Sequence, residues 1–182
     1  MARTPEDIQD ELLVLRCQEG DDESLRALID RWQPRLGRLA GRLTRDRDAS
    51  RDIVQDAWLA IVRGIKRLDD PARFRSWAYR IVSNKCMDWT RRRVVRRKAA
   101  REREGTIENA TDESDATDEV NGLRVALAHL PIDQRAILSL HYLDGMGLLE
   151  IARVLGVPVG TVKSRLYHAR NRLREAMERV RT

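Results

Sequence analysis

The sequence predicts an all-α protein made of two small helical domains joined by a flexible acidic linker. Apolar residues recur at steps of three and four along most of the chain, which places them on one side of a helix. Aromatic residues are only 4% of the 182 residues, which argues against a large β-sandwich or barrel. Glycine (10) and proline (5) are too few for a fold dominated by loops. No segment alternates with period two for long enough to predict a strand.

The first two helices are expected before residue 44. An amphipathic pattern covers roughly residues 8–17. A longer apolar stripe then runs from Leu25 to Leu43. Pro34 interrupts this stripe and should kink or split the helix, because proline lacks the backbone N–H and its ring clashes with the preceding turn.

Two further helices complete the N-terminal half. One is predicted over residues 48–64, with Asp48 or Ser50 as its N-cap. The next begins near Phe74 and continues into a run of arginines. The apolar stripe of the 48–64 helix comprises Ile53, Ala57, Trp58, Ile61, Val62 and Ile65.

The distribution of charged residues predicts a division of the chain into two domains and a linker. Residues 91–104 carry eight bases and two acids, whereas residues 105–122 carry six acids and no base. The acidic stretch has too few large apolar side chains to offset the entropy lost on ordering. We therefore predict a flexible linker at 101–121 between domains at 1–100 and 122–182.

The C-terminal domain is predicted to contain four short helices. Pro131 starts the second, Gly156 ends the third, and Thr161 caps the fourth. These helices are expected over residues 120–130, 133–143, 148–155 and 161–180. The last two, joined by a tight turn, form a helix-turn-helix pattern.

The second helix of this pair carries donors near its start. Lys163, Ser164, Tyr167 and His168 can reach base edges in the major groove, and flanking arginines can bind phosphates. An ordinary basic helix with one solvated face is the alternative. Turn, cap, core and charge agree on the DNA-binding interpretation.

The segment 74–97 interleaves aromatic and basic residues opposite an apolar face. Rings can stack on unpaired bases, while guanidinium groups neutralise phosphates. Trp77 and Trp89 could equally belong to the core. The polar face of helix 48–64 contains Asp52, Gln55 and Asp56, and composition alone predicts only a solvated surface there. The outward-facing residues of 74–97 are expected to be Trp77, Tyr79, Asn84, Lys85, Trp89 and the arginines that follow.

Several function classes are excluded by the motifs. Cys17 and Cys86 lie far apart without zinc-finger spacing, so neither a disulfide scaffold nor a structural zinc site is expected. His129, His141 and His168 lack metal-ligand spacing. No catalytic motif or cofactor-binding motif is present, and no small-molecule substrate is expected. No apolar run could insert in a membrane and no signal-peptide core is visible, so we expect a cytoplasmic location. The net charge of +6 suggests a polyanionic partner.

Taken together, the helix at 48–64, the FRSWAYRIVSNKCMDWTRRR stretch, the variable linker and the segment 130–175 resemble an extracytoplasmic-function (group IV) sigma factor. The resemblance covers about nine-tenths of the chain and includes VPVGTVKSRLYHAR, which is specific to the fourth conserved sigma region. It implies the second and fourth sigma regions, bacterial core RNA polymerase and promoter DNA as partners, and commonly an anti-sigma factor.

The resemblance also implies roles for individual residues. The polymerase-binding residues would be Asp52, Gln55 and Asp56. The residues that open and bind the −10 element would be Trp77, Asn84, Lys85, Asp88, Arg91, Arg92 and Arg93. The residues that read the −35 element would be Thr161, Lys163, Ser164, Arg165, Tyr167, His168 and Arg170.

Two departures from the family pattern are visible. Residues 146–149 (MGLL) replace the usual Leu-Ser-Tyr-Glu-like start of the first helix of the pair, which removes a Ser cap. His168 stands where relatives often have Arg, so the −35 preference could differ and could depend on pH. Two other hypotheses stay open: a dimeric helix-turn-helix regulator that needs no polymerase, and a nucleic-acid-modifying enzyme.

Overall fold

The computed structural model describes residues 4–104, 125–127 and 130–181. These residues form helices, turns and connecting segments with no strand, so the all-α prediction is confirmed. The acidic stretch 105–122, His129 and most of the helix expected at 120–130 lie outside the described residues; of that helix, 125–127 are helical. The helices are α1 Pro5–Glu19, α2 Asp22–Thr44, α3 Arg47–Gly64, α4 Phe74–Glu104, α5 Ile132–Leu138, α6 Leu148–Leu155 and α7 Val159–Arg181.

Helix α2 runs without a break through Pro34, so the predicted split is wrong. Proline removes only one backbone donor, and Pro34 points to solvent. The opposite face is anchored by Leu28, Trp32 and Leu36, each with no exposed surface. Burial of this face holds the helix together across the missing hydrogen bond.

Helix α3 begins one residue earlier than predicted and has a different cap. The side chain of Asp46, rather than Asp48 or Ser50, accepts a hydrogen bond from the backbone N of Ala49 at 3.0 Å. Helix α4 then extends to Glu104, four residues into the predicted linker. Two short 3₁₀ turns, Ile65–Arg67 and Pro71–Arg73, connect α3 to α4.

Helices α1, α3 and α4 all pack against α2, which carries the buried Trp32. Its ring meets Phe74 edge-on at a centroid distance of 5.3 Å and Tyr79 at 6.0 Å, the geometry that aromatic quadrupoles favour. Trp32 and Phe74 are almost completely buried. This cluster joins α2 to the start of α4, and it thereby orients the outer face of α4.

The C-terminal helices differ from prediction at two places. The helix predicted over 133–143 is α-helical only to Leu138, and residues Ser139–Leu143 form a wider π-helical turn. The last helix begins at Val159, because the backbone N of Val162 already donates to Pro158 at 3.1 Å. Thr161 therefore lies inside the first turn of α7 and is not its N-cap.

The turn between α6 and α7 is as predicted. Gly156 adopts φ 66° and ψ 34°, a left-handed conformation that glycine reaches without the Cβ penalty. Gly147 precedes α6 and provides no side-chain cap, which agrees with the loss of the usual Ser.

The buried apolar residues of the N-terminal and C-terminal helices form one continuous core. Helix α6 packs against α4, and α5 contacts both α2 and α4. The two domains are therefore in direct contact in this structure.

Candidate nucleic-acid and polymerase interfaces

Helix α7 has one buried face and one exposed face. Val162 and Ala169 have no exposed surface and Leu166 is nearly buried, at the spacing of one helix face. This face packs on α5 and α6. The opposite face is exposed at five predicted DNA-binding residues: Lys163, Ser164, Tyr167, His168 and Arg170.

Local contacts organise the exposed face of α7. The Ser164 hydroxyl donates to the backbone oxygen of Thr161 at 3.1 Å. The rings of Tyr167 and His168 meet edge-on at 5.6 Å. Thr161 and Arg165 are half-buried beside this surface. The start of α7 thus presents hydrogen-bonding side chains in a solvent-exposed row on a rigid base.

A second candidate surface lies along α4. Trp77, Asn84, Asp88 and Arg91 are separated by seven, four and three residues, so they share one side of the helix. Asn84, Asp88 and Arg91 are exposed, as is Arg92. Asp88 binds Arg91 through an ion pair of 3.1 Å, which positions that guanidinium group. The amide of Asn84 is therefore available on a basic helix face.

Trp77 lies at the edge of this surface and is half-buried. Its six-membered ring packs over Gly64, where a Cβ atom would stand only 2.9 Å from the ring. On its other side the ring is 6.2 Å from Phe74. Trp77 therefore both packs against the core and borders the exposed face, so the two interpretations left open by the sequence coexist.

Two basic residues predicted for the −10 surface are engaged in other contacts. The guanidinium group of Arg93 stacks over Trp89 at 4.9 Å and lies 3.5 Å from Asp46. Lys85 pairs with Asp56 of α3 at 3.6 Å. The structure thus joins a predicted DNA-binding residue to a predicted polymerase-binding residue.

Tyr79 does not belong to the outer face of α4, so that part of the prediction is wrong. Its side chain is 3% exposed and its hydroxyl donates to Oδ1 of Asp144 at 3.1 Å. Burial, followed by the nearby Asp144 carboxylate, raises the pKa of the Tyr79 hydroxyl. Because α4 passes between the domains here, the aromatic ring lies in the shared core.

The third surface is the outer side of α3. Asp52, Gln55 and Asp56 are all exposed on this side. Leu59 and Val62 continue the same side, and they are 51% and 41% exposed. Val62 was expected in the core, and the structure instead leaves it on the surface. Val62 lies three residues after Leu59 and seven after Gln55, and this helical spacing was the available signal.

The described residues contain no group of three or more His, Cys, Asp or Glu side chains that could hold a metal ion. Within that same part of the chain, no helix is long and apolar enough to cross a membrane. His141 donates a hydrogen bond from Nδ1 to the backbone oxygen of Met146 at 3.1 Å.

Comparison with known families assigns both domains. The family described as sigma-70 region 2 matches residues 28–96, which contain α3 and most of α4. The family described as sigma-70 region 4 matches residues 121–173, which contain the helix-turn-helix. The fold and the two family matches therefore define a transcription initiation factor of the sigma-70 type.

Similar proteins narrow the assignment to one group within the sigma-70 family. The ECF RNA polymerase sigma factor SigM of Mycobacterium tuberculosis is 35% identical over 157 residues, covering 85% of this chain and 77% of the relative. The ECF RNA polymerase sigma-E factor of Escherichia coli (strain K12) is 29% identical, covering 91% and 92%. A solved structure of CnrH in complex with the cytosolic domain of CnrY has a TM-score of 0.70 and 26% identity, covering 93% and 97%. The chain belongs to the extracytoplasmic-function (ECF) sigma factors of the sigma-70 family.

Proposed function

We propose that this ECF sigma factor uses its three exposed surfaces for three separate tasks in promoter recognition. The outer face of α3 binds core RNA polymerase, α4 captures the opened −10 strand, and α7 reads the −35 duplex. The proposal rests on helix α7, which has one buried face and one exposed face. Val162, Leu166 and Ala169 are buried, and the polar side chains on the opposite face are exposed to solvent.

For the −35 element, α7 enters the major groove by its N-terminal half. Lys163 donates to guanine acceptors or phosphate, while Ser164 and Tyr167 supply adaptable hydrogen bonds. The exposed guanidinium of Arg170 reaches backbone phosphate, with Arg165 beside it. His168 occupies the same exposed row, and its neutral form contributes a directional hydrogen bond without a full charge.

For the −10 element, α4 binds the unpaired strand. The Asn84 amide offers both a donor and an acceptor, which suits the Watson–Crick edge of an extruded base. Trp77 provides a ring face at one end, and Arg91 and Arg92 neutralise phosphates at the other. Because base capture drives strand opening, the chain needs no catalytic centre of its own, and the polymerase performs the chemistry.

For polymerase binding, the exposed Asp52, Gln55 and Asp56 provide polar contacts, and Leu59 and Val62 extend them with apolar area. The Lys85–Asp56 ion pair connects this surface to α4. Such a mixture of polar and apolar exposed side chains is typical of a protein interface. Binding to polymerase would hold the −10 surface at a defined place on the complex.

The chain is proposed to divide into two domains, one for each promoter element. The region 2 domain is proposed to comprise residues 1–100, although α4 continues to Glu104, and the region 4 domain at 122–182 includes α5 to α7. Joining two weak readers on one chain makes the second contact intramolecular, so modest affinities suffice. Polymerase and promoter place the protein in the bacterial cytoplasm, and an anti-sigma factor is a further proposed partner, since the similar CnrH was solved in complex with a second protein, the cytosolic domain of CnrY.

Reconstituted transcription tests the proposal. The purified chain and bacterial core polymerase are incubated with a library of genomic fragments, and transcript starts are sequenced. We expect starts that share two sequence elements, and we expect none from core polymerase alone. A chain that binds duplex DNA as a dimer but yields no specific start would instead support the helix-turn-helix regulator.

A Glu175→Gln variant provides a matched control, because Glu175 is an exposed acid on α7 beyond the proposed contacts. It should transcribe like the unchanged protein. Loss of starts in this variant would contradict the assignment of DNA reading to the first half of α7.

A further inference from the structure

The side chain of Gln18 on α1 binds the segment that connects α3 to α4. Its Nε2 donates to the backbone oxygens of Ile65 and Leu68, at 2.9 Å and 2.8 Å. The bonded residues are 47 and 50 positions apart along the chain. A primary amide nitrogen carries two hydrogens, so one half-buried side chain uses both of its donors on this single segment.

The connection begins where α3 leaves carbonyl groups without helical partners. The last carbonyls of a helix have no N–H group four residues further on, so a neighbouring donor or water must satisfy them. The carbonyl of Ile65 accepts from the backbone N of Leu68 at 3.1 Å as well as from Gln18. Ile65 is 3% exposed, so its surroundings leave little room for water to replace the amide.

The two 3₁₀ turns of the connection are held in different ways. The turn Pro71–Arg73 is capped locally, because the side chain of Asp70 accepts from the first free backbone N–H groups. The turn Ile65–Arg67 begins at Gly64, which has no side chain to provide a cap. The first turn therefore depends on a donor from another helix, and Gln18 provides it.

The same backbone supports the ring of Trp77. Gly64 directly precedes Ile65, and a Cβ atom on Gly64 would lie 2.9 Å and 3.2 Å from two carbons of that ring. The ring thus packs directly on the backbone at the end of α3, and it moves if this backbone moves. A side chain on α1 can therefore act on Trp77 through two adjacent residues.

We propose that Gln18 is a positioning residue of the −10 surface, because its two hydrogen bonds fix the backbone on which the ring of Trp77 packs. The proposal rests on the proposed function, in which Trp77 offers a ring face to the opened strand. Gln18 acts on the strand only through that ring. A ring that is already fixed loses no conformational entropy when a base stacks on it, so positioning raises the affinity for the unpaired strand.

The hydrogen bonds of Gln18 also join α1 to the rest of the domain, so positioning has to be distinguished from a loss of stability. Gln9→Met is the matched control, since Gln9 is exposed on α1 and its Oε1 accepts from Arg31 at 3.0 Å. It lies nine residues before Gln18, about 13 Å along the helix. Gln9→Met and Gln18→Met each remove a hydrogen bond of α1 and keep a side chain of similar length.

Acrylamide quenching of tryptophan fluorescence reports the exposure of the Trp77 ring in the free, full chain. All proteins carry Trp89→Phe, which leaves three of the four tryptophans. Trp32 and Trp58 are 0% and 7% exposed, whereas Trp77 is half-buried. Changes in quenching therefore arise from Trp77.

The quenching constant should rise in Gln18→Met and stay unchanged in Gln9→Met. Gln18→Asn is a second variant, because its amide is shorter by one methylene and is withdrawn from both carbonyls; its quenching constant should rise as well. Unchanged quenching in both Gln18 variants, with full helical circular dichroism, would overturn the proposal.

Permanganate reactivity of −10 thymines in the polymerase complex measures the consequence for DNA. Gln18→Met should lower strand opening about fivefold, the lower limit of what one base–aromatic stack contributes. Binding to core polymerase should equal that of Gln9→Met. In a Trp77→Leu background, which keeps apolar packing without a ring, Gln18→Met should cause no further loss, because the two residues act as one unit.

A full additional loss in the Trp77→Leu background would overturn positioning and leave Gln18 a purely stabilising residue. Full strand opening by Trp77→Leu alone would instead refute the role of Trp77 in the proposed function. The quenching constants of the free chain would still decide, in that case, whether Gln18 positions the ring.

Discussion

A methyl group added at Gly64 should displace the side chain of Trp77, which is proposed to contact the −10 strand, without substituting that residue. Gly64 ends α3 with φ −99° and ψ −18°, which alanine adopts without strain. The new Cβ would lie 2.9 Å and 3.2 Å from two ring carbons of Trp77, whereas ordinary contact begins at 3.4 Å. The ring must therefore move by about 0.5 Å.

The size of the effect follows from two opposing contributions. Overpacking costs about 1–3 kcal/mol, and the lower end applies because the half-exposed ring can move outward. Replacing glycine by alanine in a helix stabilises by about 0.5–1 kcal/mol. Gly64→Ala should thus change the free energy of unfolding little. Gly37→Ala, whose Cβ meets nothing within 4 Å, should stabilise by the full helix contribution.

Thermal unfolding monitored by circular dichroism measures the difference. The two variants should differ by about 1 kcal/mol in the free energy of unfolding. For a chain of this size, the melting temperature of Gly37→Ala should therefore lie about 2–4 °C above that of Gly64→Ala. The double variant Gly64→Ala/Trp77→Phe should regain this difference in melting temperature, because phenylalanine lacks the second ring, which the added methyl group contacts in tryptophan. Equal increases in melting temperature for the two alanine variants would refute the inferred contact.

The remaining predictions address the DNA-binding faces and one cap. Asn84→Ala should reduce permanganate reactivity of −10 thymines while polymerase binding, measured by fluorescence anisotropy, stays constant; unchanged reactivity would contradict base capture. Lys163→Ala should weaken −35 binding and reduce the slope of log affinity against log salt by about one, and an unchanged slope would argue against a phosphate or groove contact. Hydrogen bonds from Thr4 lower the pKa of Asp7, so the stability that this group contributes is present above its unfolded pKa, near 4, and is lost as the pH falls through the lower folded pKa. Asp7→Asn should therefore cost a few tenths of a kcal/mol at pH 7 and nothing at pH 2, as measured by denaturant unfolding; an equal cost at both pH values would rule out the ionised carboxylate as the source.

The N-terminal and C-terminal domains are in contact through both apolar and polar side chains. The interface combines a continuous apolar core with the matched charges around Asp144.

Periodicity and caps in the sequence were sufficient for most of the helices. Steps of three and four place Leu28, Trp32 and Leu36 on one face wherever the chain is helical, because the helical repeat is the same in any fold. Gly156 predicts the turn of the helix-turn-helix, because its left-handed conformation is a local property. The exposure of Lys163 and Asn84 follows from the same repeat.

Caps and boundaries were less reliable because several residues could satisfy the same free N–H groups. Asp46, Asp48 and Ser50 all have suitable side chains, and the choice of Asp46 depends on where the preceding turn ends. Pro34 is tolerated inside α2 only because its neighbours on the opposite face are buried. A rule that considers only neighbouring residues in the sequence takes no account of that burial.

The sequence by itself therefore determined the helical class, the order of the two sigma regions and the faces proposed to meet polymerase and DNA. Only the tertiary structure decided which polar residues are buried between the domains. Tyr79 and Asp144 are 65 residues apart, and nothing in the spacing of either pairs them. Their contact depends on two surfaces that exist only after each domain has folded, and long-range charge pairing of this kind leaves no periodic signal along a chain.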